Sequence, residues 1–241
     1  MRESKPLALW QAVITALVVL SGSVAVPILC RPFYYAHIGA LHLEEWGLTR
    51  EEICRAYDQM LDFCLGLRPD FAAGVLRFSA DGASHFADVG ALFRLDLWVL
   101  GLSLAALAAA FVLCRRKGLR PYCFRGRGPG FWAAVGLGAA FLIVGGLAAL
   151  DFERAFAVFH ALFFPGKTNW LFDWRTDPII LFMPEEFFRN CALLILALLL
   201  MWCAVLILAD SWARRKRRAA ARGAGCPGCC PPPQSEKERE K

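Results

Sequence analysis

The chain has 241 residues, 58% of them apolar, with a formal net charge of +6. A mean hydropathy of +0.46 excludes an ordinary soluble domain. The basic excess is concentrated beside apolar runs, so it reports membrane topology and gives no reason to invoke a nucleic acid partner.

Four uncharged runs are long enough, or nearly so, to cross a bilayer: Leu7–Cys30, Leu97–Cys114, Gly128–Leu150 and Cys191–Ala209. With their flanks they predict spans at about residues 7–30, 91–114, 129–150 and 187–212. The first run is too long for a signal-peptide core and is followed by no small-x-small cleavage site, so it is read as a span. Arg115–Arg127 carries six basic residues and no acid, and Arg214–Arg218 is an unbroken basic cluster. Both belong on the cytoplasmic side; residues 31–93 and 151–190, richer in acids than bases, belong outside. The expected fold is an all-α integral membrane protein of four transmembrane helices (residues 1–212). Outer segments 31–90 and 151–186 form an extracytoplasmic helical cap, and both termini are cytoplasmic.

After the first span, Arg31–Leu48 is a juxtamembrane stretch with Phe33, Tyr34, Tyr35, His37 and His42, the two histidines read as surface residues. Thr49 and Glu52 fit a capping box, and Ile53, Tyr57, Met60, Leu61 and Cys64 follow at helical spacing. An amphipathic helix is predicted over 50–65, ended by Gly66 and Pro69. Cys54 and Cys64, about 15 Å apart along it, are too far apart to pair. Residues 71–78 are a connector, and Ser79 is the expected N-cap of a helix running through His85 and Asp88 into the second span. Those two lie three apart and share a face. Asp96, one-third of the way into that span, is costly in lipid and points to the bundle interior. Gly136, Gly138, Gly145 and Gly146 suit the third span to close packing.

The segment Phe159–Phe188 is the focus of the chain. Phe152, Phe156, Phe159 and Phe163 repeat at helical spacing with His160 beside the stripe. Pro165, Pro178 and Pro184 break the segment too often for a span, while its aromatic density suits the membrane–water interface, with Trp170 and Trp174 as belt residues. Asp177-Pro178 reads as a helix start with an acidic N-cap, and Pro184 as the start of the fourth span. If the helices flanking the spans are continuous, His85 and His160 stand at similar heights above the membrane, about 15 Å beyond the uncharged runs. From Ala219 the tail is rich in Arg, Lys, Pro and Glu and is expected to be disordered, within a basic tail segment of residues 213–241. Cys226, Cys229 and Cys230 do not complete a four-ligand zinc set, and the ten cysteines give no disulfide framework.

HExxH, GxSxG, Walker A and GxGxxG motifs are absent. Two interfacial histidines remain, His85 and His160, which can carry a proton either way in acyl transfer, with Asp88 positioned to fix a tautomer. The sequences HFADV at His85–Val89 and FHALFF at Phe159–Phe164, with Trp170 and Ile180…Pro184…Phe187, resemble the lipoprotein intramolecular transacylase family (Lit) of Gram-positive bacteria. The resemblance covers about residues 1–212. It implies a cell-membrane acyltransferase that moves the sn-2 acyl chain of a diacylglyceryl-cysteine lipoprotein onto that cysteine's own α-amino group. It further implies His85 and His160 as base and acid, Asp88 orienting His85, and Phe163, Phe164, Trp170 and Pro184 at the substrate. No cofactor and no metal are called for; the partners are diacylated lipoproteins and membrane lipid, with no oligomeric state specified. Two alternatives stand beside it. One is a metal-dependent membrane hydrolase with His85, Asp88 and His160 as ligands. The other is a non-enzymatic membrane partner or transporter subunit.

Overall fold

The computed structural model describes residues 2–223. Four long apolar helices carry the chain through the membrane: α1 (Lys5–Leu29), α4 (Ala80–Lys117), α5 (Pro129–Leu150) and α8 (Glu185–Gly223). Between them lie α2 (Arg31–Ala40), a 3-10 turn (Leu43–Trp46), α3 (Arg50–Leu65), α6 (Phe152–Phe163) and the short α7 (Ile179–Phe182). Helix α1 packs against the other three long helices, and α5 lies along α8. Val19, Ala134, Leu199 and Cys203 form the buried centre of the bundle. Its outer surface is Leu, Val, Ile and Phe, as a helix facing lipid requires.

The glycine-rich third span packs as its composition predicts, but only on one face. A Cβ at Gly145 would come within 2.8 Å of Leu196 on α8, whereas Gly136 and Gly146 face open space. Asp96 is half-buried beside Ser21 of α1, and its Oδ2 is buried without a hydrogen-bond partner.

At one end of the bundle the outer segments fold into a second core. Tyr34 stacks on Tyr57 with centroids 3.8 Å apart and donates its hydroxyl to the Phe182 carbonyl at 2.7 Å. Ile38, Ile53, Met60, Phe71, Phe86 and Phe187 are buried with them. Arg31 pairs with Asp58 and Asp62 of α3. The Thr49–Glu52 capping box forms, and α3 ends at Gly66 in the left-handed region, as the sequence predicts. All seven cysteines among the described residues are free, Cys54 and Cys64 included.

At the other end lie three features that the reading above does not mention. Arg2–Ser4 (β1) pairs in parallel with Leu119–Pro121 (β2), a short ribbon that an all-α reading leaves out. Arg127 reaches Asp210 and Ser211 of α8, and Asp210 also accepts the Gly128 N–H. Helix α8 continues through the basic cluster to Gly223, so the tail boundary at residue 213 is not a break in structure. Arg, Lys and Ala are strong helix formers, and nothing there stops the helix. The rest of the tail, with Cys226, Cys229 and Cys230, lies outside the described residues.

Candidate active site

Two helices and one loop bring the site together. Ser79 caps α4 by accepting the Gly82 N–H at 2.9 Å, which sets His85 on the second turn of that helix. Asp151 caps α6 by accepting the Arg154 N–H at 2.9 Å, and His160 follows on the buried face of that amphipathic helix. Because Asp151 is extended (φ −157°, ψ 94°), α5 and α6 are separate helices. The continuous rod that the sequence reading assumes for the third span is therefore broken. The loop 164–178 then crosses back to α4, where buried Asp177 accepts the Ser79 N–H at 2.8 Å and the Thr176 hydroxyl. Asp177 was expected to cap its own short helix. Instead α7 begins after Pro178, and the carboxylate anchors the start of α4.

His85 and His160 are both buried, and their ring centroids lie 5.7 Å apart. Phe164, at 5.1 and 5.7 Å from the two imidazoles, walls the pair on one side, and Phe172 stands 5.5 Å from His85. Trp170 stacks on His160 at 4.5 Å and 24°. His160 Nδ1 lies 2.8 Å from the Phe156 carbonyl. A carbonyl only accepts, so Nδ1 carries the proton, and in the neutral ring Nε2 keeps the free lone pair. Burial holds the His160 pKa below the ordinary imidazole value, against a smaller upward pull from that carbonyl. His85 has no such fixed tautomer: its Nδ1 is buried without a hydrogen-bond partner.

Asp88 does not hydrogen-bond to His85. Its oxygens take the Lys167 ammonium at 2.6 and 2.7 Å and the Asn169 amide at 3.3 Å, so it straps the loop 164–170 onto α4. The ligand set His85, Asp88 and His160 of the metal reading is thus not assembled. Among the described residues no three His, Cys, Asp or Glu side chains are grouped for a metal ion.

Phe163 lies half-exposed on the outer face of α6, against Phe159, and does not join the rings around the histidines. Pro184 sits at the junction of α7 and α8, where its carbonyl accepts the Phe187 N–H at 3.0 Å. Trp174 is exposed beneath the Arg175 guanidinium, as a belt residue would be. His37 packs between Phe33 and Phe187 in the outer core, and His42 is exposed in a left-handed turn. Lys167, Asn169 and Phe172 also belong to the site. The first two, with Thr168, are the only polar side chains between Phe163 and Phe172, which is the signal that marks them.

A model of the family of lipoprotein intramolecular transacylases (Lit) matches residues 9–188. Three solved structures of the lipoprotein intramolecular transacylase Lit from Bacillus cereus are similar in fold. One is 24% identical, covers 88% of this chain and 96% of that chain, and gives a TM-score of 0.77. A second, carrying an H85R mutation, is 22% identical over 89% of this chain and 93% of that one, with a TM-score of 0.73. The third carries an H85A mutation and is 22% identical, with a TM-score of 0.73. None of the curated proteins matches the chain. On the extent of the family match, three-quarters of its length, the chain belongs to the lipoprotein intramolecular transacylases and is an acyltransferase of the membrane.

Proposed function

We propose that His160 is the base of this transacylase and His85 the donor to the oxyanion, acting on a diacylglyceryl-cysteine lipoprotein at the extracytoplasmic face. The observation that carries this reading is the buried pair at 5.7 Å, one member of which has its tautomer set by the Phe156 carbonyl. The substrate's α-amino group has a pKa near 8. As the neutral amine attacks the sn-2 ester carbonyl, a C–N bond forms and His160 Nε2 takes the proton from nitrogen. The carbonyl oxygen gains the charge, and the N–H of the neutral His85 imidazole donates to it. The tetrahedral centre then collapses, the bond to the glycerol oxygen breaks, and His160 returns the proton to that oxygen. The product is an amide on the cysteine and a free sn-2 hydroxyl. Donor and acceptor belong to one molecule, so attack is intramolecular and direct transfer needs no acyl-enzyme. The rings of Phe164, which is buried, and of Phe172 and Trp170, which are partly buried, limit the access of water, which keeps transfer ahead of hydrolysis.

Orientation follows from charge. The ribbon, the basic segment 115–127 and the cluster 214–218 share one end of the bundle, which we assign to the cytoplasm with both termini. The histidines then face outward.

The test is expression in a host that lacks lipoprotein N-acylation, followed by mass spectrometry of lipoprotein N-termini. The expected result is an N-acylated cysteine bearing a lyso-glyceryl group, lost in His160→Ala. Unmodified diacylglyceryl lipoproteins at full membrane levels of the protein would overturn the reading.

A further inference from the structure

Among the described residues only three side-chain polar atoms are buried without a hydrogen-bond partner, and two of them belong to this site: His85 Nδ1 and Asn169 Oδ1. The Asn169 amide is not free to turn. Its Nδ2 donates to Asp88 Oδ2 at 3.3 Å and to the Ser84 hydroxyl at 3.5 Å, and the carboxylate can only accept. Oδ1 is therefore fixed as an acceptor aimed away from Asp88. A buried acceptor with no donor is costly, and it persists where a ligand supplies the donor. Position narrows the choice of ligand. Ser84 and Asp88 bracket His85 on α4, and the residue after Asn169 is Trp170, stacked on His160. The orphan acceptor thus belongs to the loop that closes over both imidazoles.

We propose that Asn169 Oδ1 accepts the second N–H of the substrate's α-amino group, the first being taken by His160 as the amine attacks. This inference rests on the transacylase reading and adds a specificity to it. A primary amine brings two N–H bonds, one for the base and one for Asn169. A secondary amine brings one and leaves Asn169 unpaired. The site therefore selects an unmodified N-terminal cysteine by counting its hydrogens. As a buried group left without its partner, Asn169 discriminates against the wrong substrate more than it strengthens binding of the right one. The chemistry balances as before, because Asn169 holds a hydrogen and moves none.

The experiment compares two synthetic diacylglyceryl-cysteine lipopeptides, one with a free α-amino group and one with an N-methyl α-amino group. The assay uses the full-length protein in detergent–lipid micelles. Wild-type protein is expected to prefer the free amine by about 10- to 100-fold in kcat/KM, the loss set by one unpaired buried group. In Asn169→Ala the rate on the free amine falls and the preference collapses to within about threefold. Asn169→Ser, which keeps a donor for Asp88 but withdraws the amide carbonyl, gives the same collapse and covers the case in which the alanine variant does not fold. A loss confined to loop position would slow both substrates equally and leave the ratio unchanged. An unchanged ratio in either folded variant overturns this inference and leaves the transacylase reading intact. A wild-type protein that acylates neither peptide overturns both.

Discussion

Asp177 and Ser79 stand 98 residues apart in sequence and meet at 2.8 Å, carboxylate oxygen to backbone N–H, where the site loop joins α4. The approach is so close that a Cβ on Gly82 would collide with Asp177 Oδ1 and crowd Phe172. Gly82→Ala is expected to cost roughly 1–3 kcal/mol through overpacking. Asp177→Ala is expected to cost a similar roughly 1–3 kcal/mol, through the N–H left unpaired. Both lower the thermal midpoint in detergent. Because they disturb one contact, the double variant falls short of the sum. A midpoint unmoved by Gly82→Ala would mean that the loop does not sit this tightly.

Replacing His85 or His160 by alanine is expected to lower transfer by roughly 10²–10⁴-fold. The double variant should be no worse than the more damaging single one, because members of one catalytic unit are strongly non-additive. Lyso-form lipoprotein yield at matched membrane levels checks this. Substantial turnover in His160→Ala would remove it as the base.

The pH dependence follows from burial. His160 is held below its ordinary 6.5, by desolvation among Phe156, Phe164 and Trp170 and beside the His85 ring. Its basic form therefore persists below pH 6.5 and is lost only as pH falls through the lower folded value. The dominant limb of kcat/KM then comes from the substrate amine, near pH 8. Stability shares the sign: the folded chain binds fewer protons here, so this contribution is intact above 6.5 and lost on acidification. An enzyme limb at or above pH 6.5, with a substrate of altered amine pKa as control, would contradict this.

Asp88 is expected to act mainly through the loop, because its oxygens hold Lys167 and Asn169 and make no hydrogen bond to His85. Asp88→Asn and Lys167→Met are each expected to slow transfer on the order of tenfold, as a small misplacement of the loop allows. The double variant should resemble either single one. Since the pair is partly exposed, added salt should narrow the difference from wild type. Loss as complete as in His160→Ala would return Asp88 to the chemistry itself.

Topology is checked by thiol labelling of intact cells with a membrane-impermeant reagent, in a variant lacking native cysteines. Cysteine introduced in W46C, at an exposed position of the outer segment, is expected to react. Cysteine introduced in R120C, in the basic segment, reacts only after the cells are opened. The reverse pattern would invert the assignment.

Local signals were legible in the sequence. The capping box at Thr49, the N-cap at Ser79, the four spans and the position of both histidines follow from periodicity, capping chemistry and hydropathy, which act within a few residues. What was not legible depends on contacts between distant segments. Asp177 reads as a cap for its own helix because the backbone N–H it serves belongs to α4. Asp88 reads as a partner for His85, three residues away, because Lys167 lies 79 residues further on. Phe163 and Phe164 are indistinguishable by type, yet the end of α6 falls between them and sends one outward and the other against the imidazoles. The break at Asp151 did carry a local signal, an N-cap acid directly before the Phe-bearing helix, and the assumption of a continuous helix overrode it.

The parallel pairing of Arg2–Ser4 with Leu119–Pro121 has a consequence for biogenesis. The first strand made cannot find its partner until more than a hundred further residues have been synthesised and the second span has been threaded. At about 5–20 residues per second, that interval lasts several seconds or more. Throughout it the N-terminal edge is unpaired and α1 has yet to meet α5 and α8. Closure of the ribbon therefore marks the completion of the first two spans, and a bulky fusion placed directly before Arg2 would delay that step before it disturbed any contact of the finished site.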